Sequence, residues 1–447
     1  MLGRNILAVD VSFAVIVSLG LMLPSHAVAG KFHGGAFKDS AEMRVSSPPM
    51  HCDYSLEDPR RAFYNFEYPK LLLLNDGDPI VAFVDARSER LLLTQVSKGG
   101  ARVRTSVTRF GKYMWDKWPV TFVEGNEIFL AIKVETPPEK KGEYHVRVFL
   151  LDADNSQLSL QRESKFRIGG RPVDLSGLFP YKGGYLVVGR VTIPHFRPLG
   201  LLTGHSPSFR KNISFILDDE EAIERTSIEE EEGWFSARYP QYVVTESARV
   251  LSAWVRSTSG AGYSAKHEEG VYFSESRDGK TWSPPVELHS VKGVDSYRMW
   301  NVSLVASRDS AFILWQDAEK GFFVAEIRDG GKRDMTQISD MKRVRTDPPY
   351  FDPFSGAPTA KIAADRQGNV YALWVWNSDR GPSEYQLFLS ARVNDTWRPP
   401  VVISRGRGIA TLPDMQVDKR GVIHIAYVGR RPQEQYACYY LKVEGVR

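Results

Sequence analysis

Cysteine is almost absent: among 447 residues only Cys52 and Cys438 occur. So small a number excludes a disulfide-dense scaffold and a zinc module built on cysteine clusters. Charge of one sign is also scarce, since 58 Lys plus Arg stand against 54 Asp plus Glu, a formal +4. With no basic run to concentrate it, that excess does not make a nucleic-acid footprint. Long hydrophobic runs are missing too. Val11 to Leu23 is apolar apart from Ser12, Ser18 and Gly20, and is shorter than the roughly 20 residues a spanning helix needs. No glycine-rich phosphate loop, zinc-protease helix or Gly-x-Ser-x-Gly elbow is present, which disfavours nucleotide-dependent and serine-hydrolase chemistry. No cofactor is expected.

What the chain does have is 12% aromatic residues, 36 Gly and 26 Pro, a composition suited to many short strands joined by turns. At the N-terminus, Arg4, the apolar run and Ala27-Val28-Ala29 read as an export signal over residues 1–29, with an uncleaved anchor as the alternative. No later segment is apolar enough to cross a bilayer, so the expected location of the mature chain is secreted or periplasmic. In such a compartment Cys52 and Cys438 invite one disulfide, and two buried thiols are the other reading. His195 and His205 lack metal-ligand spacing, and no metal site is expected. The acidic stretch from Asp218 to Glu232 reads as a solvated loop.

A phrase recurs along the chain: an aromatic or basic residue, a Pro, an apolar strand, a short break and a stronger apolar strand. It is anchored at Pro69, Pro119, Pro172, Pro240, Trp300, Pro358 and Pro413. The intervals run from 50 to 68 residues, the period of a four-stranded propeller blade. The fold class predicted is all-β, a β-propeller of seven blades, with six as the alternative, over residues 65–447. A Pro opening each innermost strand is permitted, because that residue need not donate to the ladder. The last unit is one strand short. The segment between Ala41 and Cys52, within an N-terminal stretch 30–64, is expected to supply it, and a Cys52–Cys438 bond would lock the closure.

In the fourth unit the turn reads Ser276-Arg277-Asp278-Gly279-Lys280-Thr281-Trp282, with a degenerate echo at Ser390 to Trp397. This resembles the Asp-box of the sialidase-like (BNR repeat) propeller superfamily. In that family the box, here Ser276, Asp278, Gly279, Thr281 and Trp282, is structural and lies away from the ligand mouth. The resemblance implies an arginine cluster for a substrate carboxylate, a Tyr–Glu nucleophile pair and an Asp acid/base. Carried onto this chain, the ligand-binding candidates are Arg171, Arg238, Arg298 and Arg87, with Trp118 and Trp300 for sugar stacking. The catalytic candidates are Asp85, Tyr350 and Glu231. The family's Arg-Ile-Pro phrase is replaced by Tyr68-Pro69-Lys70, so catalysis is the weak point of the resemblance. For each arginine taken alone, an inter-blade salt bridge is the competing role. The function expected is a glycan-binding or glycan-processing propeller, an exo-glycosidase if an enzyme. The rival is a non-catalytic scaffold that binds protein.

Overall fold

The computed structural model describes residues 38–45, 69–74, 79–85, 90–97, 100–108, 120–124, 127–135, 143–152, 157–167, 173–181, 184–194, 208–217, 226–227, 235–258, 267–294, 298–331, 333–341, 360–377, 385–404, 408–431 and 437–444. Almost every ordered segment among them is a strand, and the one helical element is the single 3-10 turn Asp329–Gly331. The sequence dictates this. Segments such as Val250–Thr258, Ser310–Asp317 and Val370–Asn377 are short apolar runs rich in β-branched and aromatic residues, closed by turn residues at both ends.

The strands form antiparallel meanders in chain order. The first sheet comprises Lys70–Leu72, Ile80–Asp85, Arg90–Ser97 and Gly100–Thr108. Four further four-stranded sheets follow over residues 120–167, 173–227, 235–294 and 299–339. The remainder is a nine-stranded sheet whose two halves, residues 360–402 and 409–444, meet through one parallel bridge between Tyr385 and Ile409. The sheets stay separate hydrogen-bonded units, and side-chain packing joins them. Leu251, Val255 and Phe273 pack on Met299, Ile313 and Trp315 of the next sheet. Phe312 and Phe322 then pack on Ile362, Trp374 and Phe388. The first strands of successive sheets lie side by side, and Ile409–Val417, the last of them, touches Lys70–Leu72, the first. At that junction Leu71, Val81 and Phe83 share a core with Ala426, Cys438 and Tyr440.

Lys38–Arg44 is the outermost strand of the final half-sheet and runs antiparallel to Ala437–Glu444. It begins earlier than the expected segment, and its ladder ends as the Val45 amide donates to the Cys438 carbonyl at 2.8 Å. Glu42 fixes the strand by accepting from the Tyr427 hydroxyl and, at 3.1 Å, from Arg431. Cys438 is buried beside Val45, whereas Cys52 lies outside the described residues.

The prolines correct one expectation. Pro69 does stand just before its strand, but Pro240 and Pro413 lie inside Phe235–Val244 and Ile409–Val417. Both fall where the register shifts, between Arg238 and Gln241 and between Thr411 and Asp414. A bulge leaves a residue out of the ladder, so a missing N–H is tolerated in mid-strand. Similar shifts interrupt the first strands at Leu175/Gly177 and Trp300/Ser303. The second of the seven anchors, Pro119, lies outside the described residues, as do Pro172 and Pro358.

The hairpin turn from Ser276 to Trp282 is held by its own side chains. Asp278 accepts the Lys280 and Thr281 amides at 2.8 and 2.6 Å, and the Ser276 hydroxyl at 3.0 Å. Gly279 turns with φ 74, in the left-handed region that Gly occupies without a Cβ penalty. Trp282 reaches the preceding sheet, donating from Nε1 to Ser214 at 2.8 Å.

Candidate functional site

Antiparallel meanders place the start of each first strand, the end of each second strand and the start of each third strand on one rim. Arg298, immediately before the strand Met299–Ser307, and Asp317, which closes Ser310–Asp317, therefore meet. Arg298 donates to Asp317 from Nε at 3.3 Å and from Nη2 at 2.9 Å. Its Nη1 lies 2.9 Å from Glu319, so both arms of the fork are engaged. Asp317 is fully buried and also takes the Glu319 amide at 2.9 Å, with His289 Nε2 at 3.3 Å. Burial alone would raise its carboxyl, but the contacts from His289, Glu319 and Arg298 outweigh that and bring it down to about 2. Asp317 is thus a standing carboxylate at neutral pH. Glu269, buried in the preceding sheet, accepts the Arg298 and Met299 amides at 2.6 and 3.0 Å and fastens the two sheets at this rim.

Behind the rim lies the path between the first strands. Here Asp414, directly after its bulge, accepts the Leu71 amide at 2.9 Å, and Gln416 donates to the Leu71 carbonyl. The same job is done elsewhere by Ser303, also directly after a bulge, which accepts the Ile362 amide at 3.1 Å. Leu71 and Ile362 therefore occupy equivalent places, and so do the residues before them, Lys70 and Lys361. Lys361 Nζ lies 3.3 Å from the second oxygen of Asp414, both side chains being largely enclosed. Burial would raise the Asp414 carboxyl, but Lys70, Lys361 and the Leu71 amide hold it low. Burial depresses the Lys361 ammonium, and the neighbouring Lys70 adds to that.

The sequence-derived candidates fall as follows. Arg298 is at the rim, held by two carboxylates. Asp85 ends Ile80–Asp85 opposite Arg90, Arg238 lies in Phe235–Val244 opposite Val255, and Trp300 stands opposite Gln316. The structure brings Arg298 and Asp317 together. Arg87, Trp118, Arg171, Glu231 and Tyr350 lie outside the described residues. Sequence reasoning passed over Glu269, His289, Glu319, Lys361 and Asp414. Only Lys361 had a usable signal, since it directly precedes a core residue, Ile362, as Lys70 precedes Leu71. It also passed over a turn shared by two hairpins, Asp365-x-x-Gly368 and Asp418-x-x-Gly421, whose Asp accepts the amide four residues on, from Asn369 and Val422, at 2.9 Å. Among the described residues no group of three or more His, Cys, Asp and Glu side chains is arranged to hold a metal, and no helix is long and apolar enough to cross a membrane.

No protein family matches the chain, and no curated protein sequence does. Solved structures do. Polysaccharide lyase Uly1 superposes with a TM-score of 0.54 at 10% identity, covering 92% of this chain and 100% of that one. The chain shares its fold. That fold is an all-β propeller, and the neighbours include glycan-processing enzymes. A puromycin-hydrolysing peptidase of Mycobacterium tuberculosis gives 0.47 at 12% identity; 89% of this chain aligns and spans only 54% of the peptidase. The α-L-arabinofuranosidase Arb93A of Fusarium graminearum gives 0.46 at 10% identity, covering 90% and 97%. Likeness at these identities speaks to fold alone.

Proposed function

We propose that this protein is an exported, sialidase-like propeller of seven blades that binds or processes a glycan at its channel mouth. The half-sheets 360–402 and 409–444 would be the sixth and seventh blades, the strand Lys38–Arg44 completing the seventh. The observation that carries the functional reading is a pair of clusters of largely buried ionisable side chains: Glu269, Arg298 and Asp317 on one rim, and Lys361 with Asp414 between first strands. Buried charges are costly to maintain, and such clusters mark candidate sites. The fold shared with a polysaccharide lyase supports a sugar polymer as the ligand class.

If the site is catalytic, Asp317 is unsuited to donate a proton, being held ionised, and Asp85 remains the candidate acid, with Tyr350 and Glu231 as the nucleophile pair. Arg87, Arg171 and Arg238 would hold the ligand, and Trp118 and Trp300 would stack on its rings. The Cys52–Cys438 bond belongs to the same reading, as do removal of residues 1–29 and the structural role of the Ser276 to Trp282 turn.

The test is a glycan array together with a panel of chromogenic glycosides that includes a sialoside. Binding or turnover on the purified chain, lost in Asp85→Asn for turnover and in Arg238→Ala for binding, is the expected result. Neither binding nor turnover on any glycan would end both glycan readings. The scaffold reading, in which the propeller binds protein, is favoured by one observation: the guanidinium of Arg298 is already engaged by Asp317 and Glu319.

A further inference from the structure

The last half-sheet meets the first sheet through one face of its strands, and that face carries a buried histidine. His424 lies in Val422–Arg430, opposite Gln416 on one side and Lys442 on the other. Its neighbours on this face reach the first sheet. Gln416 donates to the Leu71 carbonyl, and Tyr440 shares a core with Leu71, Val81 and Phe83. His424 itself is only 4% exposed. Its Nδ1 lies 2.7 Å from the Tyr440 hydroxyl, while Nε2 faces Asp418 at 3.4 Å without closing a hydrogen bond.

Asp418 is already committed to another cation. One oxygen accepts the Val422 and Arg420 amides, each at 2.9 Å, and the other takes the Arg420 guanidinium at 3.0 and 3.1 Å. Burial would raise this carboxyl, but those contacts hold it low. The arrangement suits a neutral imidazole: the Tyr440 hydroxyl donates to Nδ1, which assigns the ring proton to Nε2, on the side of the carboxylate. A proton added at Nδ1 reverses the Tyr440 bond, so the hydroxyl turns its own hydrogen away, and it sets a charge in an enclosed place. The surroundings resist that charge. Facing His424 are Asp418 and Arg420 from the turn and Lys442 from Ala437–Glu444. From Ile409–Val417 comes uncharged Gln416, with Asp414 turned to the Leu71 amide. In Lys38–Arg44 the residues opposite Lys442 and Tyr440 are Ala41 and Met43, and the first sheet offers apolar Leu71, Val81 and Phe83. Burial, joined by Lys442 and Arg420, outweighs Asp418 and depresses the imidazole below its ordinary 6.5.

We propose that Asp418, His424 and Tyr440 form an acid-released lock on the junction of the last half-sheet with the first sheet. It does not depend on the glycan reading. Uptake of a solvent proton at His424 Nδ1 loosens Ala437–Glu444 and, with it, Lys38–Arg44, whose Met43 lies opposite Tyr440. An unfolded chain takes up this proton near pH 6.5, before the folded one does. The lock's contribution is therefore complete above that pH and is lost as the pH falls below it.

The test is hydrogen–deuterium exchange on the purified full chain at about pH 7.5 and about pH 5, corrected for the intrinsic pH dependence of amide exchange. Protection of amides in Val422–Arg430, Ala437–Glu444 and Lys38–Arg44 should fall about tenfold at the lower pH, while the sheet over residues 299–339 holds. His424→Gln stays neutral across this range and should abolish the regional loss. Lys442→Met removes a cation that opposes the proton, so its loss should be smaller than that of the wild type. An undiminished loss in either variant overturns the lock. Should His424→Gln fail to fold, Lys442→Met and the regional pattern in the wild type decide. Acid loss spread evenly over the sheets, or none at all, overturns the proposal as well.

Discussion

The rim at Arg298 and the junction of first strands at Asp414 are built from the same repeat yet distribute charge in opposite ways. At the rim the Arg298 guanidinium is engaged by Asp317 and Glu319, while Glu269 accepts the Arg298 backbone amide. At the junction one carboxylate, Asp414, serves Lys361 and a backbone amide, and among the described residues Lys70 has no carboxylate within ion-pair distance. An arginine in the expected place is thus spent on carboxylates of its own sheet, while a lysine at a position that broke the expected motif has, among the described residues, no carboxylate within ion-pair distance. Residue type at a repeat position does not decide whether a charge is available; the number of counter-charges placed around it does.

The comparison breaks most visibly if the rim charges are not structural. Asp317→Ala leaves Arg298 and His289 facing a void, and breaking a buried pair on one side costs about 3–5 kcal/mol. Urea unfolding should show that loss, and a change below about 1 kcal/mol would mean the rim is not riveted. At the Asp414 junction the next effect is smaller. Asp414→Asn keeps an acceptor for the Leu71 amide but strands the Lys361 charge, costing about 2–3 kcal/mol. Adding Lys361→Met should recover part of it. A strictly additive double mutant would show that the two groups do not interact.

Acid separates the two regions further. The Asp317 carboxyl titrates at about 2 when folded, against a usual 3.8, so the unfolded chain takes up the proton first. Its stabilisation is complete above about pH 5 and is lost as the pH falls toward 2, a swing of about 2 kcal/mol. The stability gap between wild type and Asp317→Asn should narrow by that amount from pH 6 to pH 2. A gap independent of pH would show that the carboxylate is not held ionised by its partners.

Much of the fold was legible because strand burial repeats a local pattern. Trp254, Trp315 and Trp374 sit at one place in successive second strands, and all three are fully buried. The sites were less legible because their partners are distant in sequence. Leu71 and Asp414 are 343 residues apart, and nothing near Tyr68-Pro69-Lys70 announces a carboxylate arriving from the far end of the chain. The mid-strand prolines misled for a related reason: Pro240 looks the same in sequence whether it opens a strand or rides a bulge, and only the ladder opposite it decides. Rim residues such as Glu269 and His289 sit among other polar residues, in His267-Glu268-Glu269 and His289-Ser290, and so read as solvent-facing positions until the next sheet is laid over them.

The smallest effect sharpens the idea that identical positions carry unequal loads, and it concerns two hairpins. Ser274 and Ser390 make the same stitch, each hydroxyl donating at 2.6 Å to a carbonyl across its hairpin, that of Ser283 or Arg398. Counting from those serines, Asp278 falls where Asn394 falls in the echo. Asp278 accepts two backbone amides, which holds its carboxyl at about 2 against the partial burial that would raise it. Asn394 instead turns with φ 48, followed by Asp395 at φ 62, the pair of positive angles of a tight two-residue hairpin. Asp395 spends its charge on Arg392 at 2.8 Å in an exposed ion pair. Backbone amides left without an acceptor cost more than a lost surface pair. Asp278→Ala should therefore cost about 1 kcal/mol in urea, and Asp395→Ala no more than a few tenths. Equal losses would mean that the two hairpins are held alike and that the echo is a full copy of the turn, contrary to the amide contacts that distinguish them.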